Sequence, residues 1–178
     1  MAKKKSLIAY FSRQGNNYVS GKIVNLKVGN TEVAAEMIQE ITGGDLFRIE
    51  AAKAYPEEYT ETTEVAKQEL RTNARPELTG HLLNMASYNV ILLGYPNWWG
   101  TMPMPVFTFL EEYNFSGKTI APFCTHEGSG LGRSVADINK ICPQSTILNG
   151  LAIRGGEVKN ANGEVSGWLR EIGITAKK

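Results

Sequence analysis

The 178-residue chain is 42% apolar with three Trp, seven Tyr and six Phe, which excludes a disordered segment and suffices for one well-buried domain over residues 1–178. A net charge of +1 excludes the one-sided basic field that nucleic-acid or anionic-membrane binding uses, and no acidic excess replaces it. Two cysteines, Cys124 and Cys142, exclude a disulfide framework, and no Cys/His spacing typical of a metal site is present.

Ala2-Lys3-Lys4-Lys5 precedes an apolar run that stops at Phe11. That run is too short for a signal-peptide core or a membrane span, so a cytoplasmic protein without membrane insertion is expected. Leu7–Phe11 is the first of three runs without polar alternation; the others are Val90–Leu93 and Thr119–Phe123. Such runs read as strands covered on both faces, as in parallel sheets. Leu46–Ile49 and Thr146–Leu148 are weaker strand candidates. Val33, Ala34, Met37, Ile38 and Ile41 recur at helical spacing until Gly43-Gly44 stops the pattern. Further helices are expected at Tyr59–Arg71, after Pro105, at Arg133–Ile141 and around Trp168–Ile172. Five strands alternating with helices imply an α/β fold with right-handed crossovers, a five-stranded parallel sheet in a three-layer sandwich.

Ligands of such sheets lie at the carboxyl ends of the strands, so three loops carry the functional information. The first, SRQGNNYVSGKIVNLKVGNT, residues 12–31, supplies Ser12, Asn17, Asn30 and Thr31 and contains Gly-Asn twice. The helical pattern begins after the second pair, and a helix start with hydroxyl, amide and glycine neighbours suits a phosphate. The second loop, GYPNWWGTMPMP, sets Trp98 and Trp99 on a rigid Pro- and Gly-rich segment. A planar aromatic ligand could stack on such a face. The third, CTHEGSGLG, brings glycines and His126, a donor to a ligand edge. Cys124 reads as a small buried residue, not a nucleophile. Together the loops describe a site for a phosphorylated planar heterocycle, and FMN fits best; the flavin would carry the redox chemistry while the protein binds and tunes it.

These segments resemble the flavodoxin family over essentially the whole chain. YFSRQGN begins the family's Ser/Thr-x-x-Gly-Asn-Thr phosphate motif and GNTEVAAEMI finishes it, with an insertion between. YPNWWGTMP is similar to the Pro-x-Trp-Trp-Gly flavin loop of a flavodoxin-like subgroup, and THEGSG to its second flavin loop. The resemblance implies a flavodoxin-like sandwich with sheet order 2-1-3-4-5, flavodoxin being the standard example of that order with FMN at the switch point. It implies Ser12, Asn17, Asn30 and Thr31 at the phosphate. It implies Pro96, Asn97, Trp98, Trp99 and Gly100 on one side of the ring, and Thr125, His126 and Gly128 on the other. No side chain is assigned a catalytic role. The function implied is electron transfer to a redox partner protein. Two alternatives stand beside it: an NAD(P)H oxidoreductase reducing a quinone or similar small acceptor, and a non-catalytic binding module.

Overall fold

The apolar runs become the middle of one sheet in the computed structural model, which describes residues 4–174 and 176–177. In chain order the elements are β1 Ser6–Tyr10, β2 Gly15–Val19, β3 Lys22–Leu26, α1 Asn30–Thr42, β4 Asp45–Arg48 and α2 Tyr59–Arg71. They continue with β5 Val90–Pro96, α3 Met104–Glu112, β6 Thr119–His126, α4 Ser134–Ile141, β7 Thr146–Ile147, β8 Leu151–Arg154 and α5 Asn162–Glu171.

The main sheet is parallel and runs β4-β1-β5-β6, with β7 and β8 both on the far edge of β6. Taken as one edge position, β7 and β8 complete the order 2-1-3-4-5. The expected fifth strand is therefore present but broken. Ile120 accepts the Leu148 N–H on that side of β6. Residues two apart in a strand face the same way, so Pro122 also faces the edge and has no amide hydrogen to give it. The pairing lapses there and resumes at Phe123 opposite Leu151.

Alternate residues of each central strand enter opposite cores. Leu7, Ala9, Ile91, Leu93 and Ile120 meet Val106, Phe109, Leu110 and Ile138 of α3 and α4. Ile8, Leu92, Ala121 and Phe123 meet Ala34, Ile38, Val165, Trp168 and Leu169 of α1 and α5. Each fully buried aliphatic or aromatic side chain in these layers is worth about 1.5–3 kcal/mol of transfer free energy. That two-faced burial is why the strands carry no polar alternation.

Two differences from the sequence reading matter for the site. β5 runs to Pro96 and β6 to His126, so Pro96, Thr125 and His126 are strand ends, held by the ladder. The insertion within residues 12–31 is not an open loop. β2 and β3 form an antiparallel hairpin with Gly15 opposite Leu26 and Tyr18 opposite Ile23. Ser20 (φ 51°) and Gly21 (φ 84°) make its two-residue turn.

Candidate functional site

At the carboxyl ends of β1, β5 and β6 the chain forms a cleft of about 230 Å³. Asn17, Asn30, Thr31, Pro96, Asn97, Trp98, Thr125 and His126 line it together, joined by Arg13, Tyr18, Tyr59, Glu127, Ser129 and Gly155. Ser12, Trp99, Gly100 and Gly128 do not line this cleft.

The start of α1 forms one end. Gly29 is its N-cap residue and offers no side chain; Ser12, contributed from the end of β1, accepts the Glu32 N–H at 3.1 Å instead. The two ends of the split motif meet at this point. A Cβ on Gly29 would lie 2.2 Å from Ser12 Oγ and 2.5 Å from the Arg13 carbonyl oxygen, so glycine permits the closure. With Glu32 capped by Ser12, the first-turn N–H groups of Asn30 and Thr31 have no partner among the described residues. They remain as donors beside the positive end of the helix dipole. The acidic side chain of that turn, Glu32, is drawn onto Arg48 at 2.9 Å. Thr31 reaches across to β6, where its hydroxyl shares a buried 2.8 Å hydrogen bond with Thr125.

The other end is built by the segments after β5 and β6. Asn97 locks them: its amide donates to the Gly130 carbonyl at 2.8 Å, and its side-chain oxygen accepts the Gly100 N–H at 2.9 Å. Trp98 and Thr101 exchange backbone hydrogen bonds around Trp99 (φ 55°) and Gly100 (φ 85°). A left-handed Trp costs about 1–2 kcal/mol. Its indole N–H donates to the Thr63 carbonyl at 2.9 Å and Lys67 stands over its ring, which offsets that strain. Trp99 is thereby docked on α2, while Trp98 faces the cleft. Trp98 is wedged edge-on against Phe11 and Tyr55, each with centroids at 5.2 Å.

His126 has a defined tautomer. The Gly128 N–H donates to its Nδ1 at 2.9 Å, so the ring proton resides on Nε2 and that nitrogen is a donor. Burial, and then the positive charge of Arg154, hold the imidazole below its ordinary pKa, so it is neutral at pH 7. Cys124 is fully buried, its thiol pushed up to about 12 by desolvation, and takes no part as a nucleophile.

A larger cavity of about 680 Å³ adjoins the cleft on the β4 side, and a third of about 360 Å³ lies against α2. Arg13 and Trp98 line all three. Ser12 faces the largest, and Trp99 and Gly100 the third. Gly128 sits beside the Arg154 guanidinium. Arg13 is a clamp: it donates to the carbonyls of Asn16, Pro56 and Glu57 at 2.9–3.1 Å, fastening the hairpin to the segment before α2. Sequence reasoning missed Tyr18, Tyr59 and Glu127. The Ser20-Gly21 dipeptide between two runs containing Val and Ile was the available sign of a hairpin that could carry Tyr18 there.

The flavodoxin family model matches residues 5–172. The chain belongs to the flavodoxin family. No curated protein matches it significantly. Among solved structures, a protein of Bacteroides eggerthii described as a flavoprotein is 28% identical, with a TM-score of 0.78, over 97% of this chain and 100% of that one. A second, from Bacteroides uniformis, is 25% identical with a TM-score of 0.72, over 95% and 99%. A flavoprotein of Lactobacillus acidophilus, solved in complex with FMN, shares the fold at 24% identity and a TM-score of 0.65, over 93% and 99%. The order β4-β1-β5-β6 followed by the broken edge is the flavodoxin sheet, and the cleft lies where that family order reverses.

Proposed function

We propose that this member of the flavodoxin family holds FMN in the 230 Å³ cleft and serves as an electron-transfer protein. One observation carries the reading: unpartnered N–H donors of Asn30 and Thr31, the Trp98 wall and the His126 Nε2–H donor converge on one cleft at the sheet's carboxyl edge. The donor set suits the ligand's two ends. Asn30 and Thr31 would hold a phosphate through backbone N–H groups and the helix dipole, without a dedicated cation. Pro96, Asn97 and Trp98 would cover one side of a flat ring, and Thr125 and His126 would hydrogen-bond its edge. When bound, FMN supplies the one- and two-electron chemistry that no side chain here can perform. The residues' share is to orient the ring, exclude water from it and keep a neutral imidazole donor beside it.

A second reading, an oxidoreductase passing electrons from NAD(P)H to a quinone or similar small acceptor, is favoured by one feature. The 680 Å³ cavity shares Arg13 and Trp98 with the cleft and has the size of a small-molecule pocket. The experiment is an anaerobic flavin spectrum before and after NADH or NADPH is added without any reductase. Electron transfer predicts a flavin spectrum that bleaches only through a partner reductase. Direct rapid bleaching overturns it in favour of the second reading, and purified protein that is colourless and takes up no added FMN overturns both.

A further inference from the structure

We infer that Tyr55 and Glu69 form a brace that fixes the Trp98 indole at the cleft, making both of them positioning residues for the wall on which the flavin ring rests. This rests on the cofactor reading above and adds what keeps that wall in place.

Trp98 is poorly held by its own contacts. It lines three cavities, so its ring is open on several sides. Its indole N–H has no hydrogen-bond partner among the described residues, whereas those of Trp99 and Trp168 donate to carbonyls at 2.9 and 2.8 Å. Its orientation depends on two neighbours, Phe11 and Tyr55, which also pack against each other with centroids 6.1 Å apart. The three rings form a closed triangle with interplanar angles of 81°, 88° and 89°. In edge-on packing of this kind each ring is only as fixed as the ring it abuts.

The other two corners are anchored. Phe11 is buried, and its N–H donates to the Gly94 carbonyl at 2.9 Å. Tyr55 donates its hydroxyl to Glu69 Oε2 of α2 at 2.7 Å. Its backbone neighbour Pro56 is gripped as well, its carbonyl accepting from Arg13 at 3.1 Å and from the Thr62 hydroxyl at 2.7 Å. Without the Glu69 bond, Tyr55 would have room to turn: the 680 Å³ cavity is bordered by Phe11, Tyr55 and Trp98. Trp98 would follow it away from the cleft.

Glu69 has no evident second task. It is half-buried, and Tyr55 is its one side-chain hydrogen-bond partner among the described residues. No Lys or Arg nitrogen among them comes within 4 Å of it. Burial raises its carboxyl above the ordinary range, against the pull of Tyr55 and Lys53. Packing alone would be served by an apolar residue at less cost. A directional acceptor that holds one phenol hydroxyl accounts for a carboxylate in that place.

The test is FMN titration of the full-length apoprotein, with circular dichroism of the bound flavin in its visible bands. The variants are Tyr55→Phe, Glu69→Ala and Glu69→Gln, each alone and combined with Trp98→Ala. Tyr55→Phe and Glu69→Ala should each weaken FMN binding about fivefold or more and alter the flavin dichroism, while Glu69→Gln, whose amide oxygen still accepts from Tyr55, should stay within about twofold of wild type. In the Trp98→Ala background the same changes should weaken binding by less than about twofold, because the braced ring is gone. Equal losses with and without Trp98 would reveal a merely structural role and overturn the brace. So would wild-type binding and dichroism in both Tyr55→Phe and Glu69→Ala, or a Glu69→Gln as impaired as Glu69→Ala. If Tyr55→Phe fails to fold, the Glu69 variants decide by the same criteria. A wild type that binds no FMN is a different result: it overturns the cofactor reading, and the brace with it.

Discussion

Replacing Gly29 by Ala isolates the contact that closes the phosphate motif. Gly29 has φ −65° and ψ 152°, a backbone conformation alanine adopts freely, so the substitution introduces no dihedral strain. Where a site has room, such a change stabilises by about 0.4–1 kcal/mol through the unfolded chain. Here the new methyl would meet Ser12 Oγ at 2.2 Å, and the Arg13 carbonyl oxygen and carbon at 2.5 and 2.8 Å. Two of these are backbone atoms of a segment that Arg13 itself holds in place, so they yield poorly. Overpacking of this kind costs about 1–3 kcal/mol. Displacing Ser12 from the Glu32 N–H adds about 1 kcal/mol for a lost cap. The sum, about 2–4 kcal/mol, corresponds to a fall in Tm of about 5–15 °C for a chain of this size. Thermal denaturation of the apoprotein measures it, and a titration with FMN should show weakened binding because the Asn30 and Thr31 donors are re-aimed. A variant as stable as the wild type, or more stable, refutes the close approach of the two motif halves.

Trp98→Ala removes the wall of the cleft and its edge contacts to Phe11 and Tyr55; FMN affinity should fall about tenfold or more, measured by fluorescence titration. Thr31→Val leaves the Thr125 hydroxyl buried without its partner and should cost about 1–3 kcal/mol, whereas Thr31→Val with Thr125→Val should return to within about 1 kcal/mol of wild type in urea denaturation. For His126, the folded state opposes protonation because its pKa is depressed. Its stabilising contribution is therefore complete above the ordinary histidine pKa and is lost as pH falls through the depressed value. Wild-type Tm should decline more steeply than that of His126→Asn as the pH is lowered from 7 to 5, and parallel declines would argue against the half-buried neutral imidazole.

The sheet was legible because Leu7–Phe11, Val90–Leu93 and Thr119–Phe123 are covered on both faces and therefore uniformly apolar. The same rule hid β2, where Gly-Asn-Asn-Tyr-Val contributes to neither core and reads as loop. β8 escaped notice because only Leu151 and Ile153 of its four residues are buried. At the site, strand-end and helix-start residues such as Thr31, Trp98 and Thr125 were readable from motif and position. Tyr18, Tyr59, Arg13 and Glu127 were not, since each acts through a tertiary contact that no local pattern encodes. Trp99 sits beside Trp98 in sequence, yet a left-handed backbone at Trp99 sends it to α2.

The hairpin also bears on how the chain folds. Its register sets Gly15 opposite Leu26, so the residues flanking the insertion emerge side by side. Holding the ends of an unstructured fourteen-residue loop together would cost about 2 kcal/mol of chain entropy. A two-residue turn instead zips locally, on a scale of about 1–10 μs, before any long-range strand pairing is required. Topologically the insertion then has almost no length: β1 can hand over to α1 as though residues 15–28 were a side branch. The turn is not a free tip, however: the Ser20 N–H donates to Glu127 Oε2 at 2.9 Å, so the branch is fastened to the segment after β6 once that strand is in place.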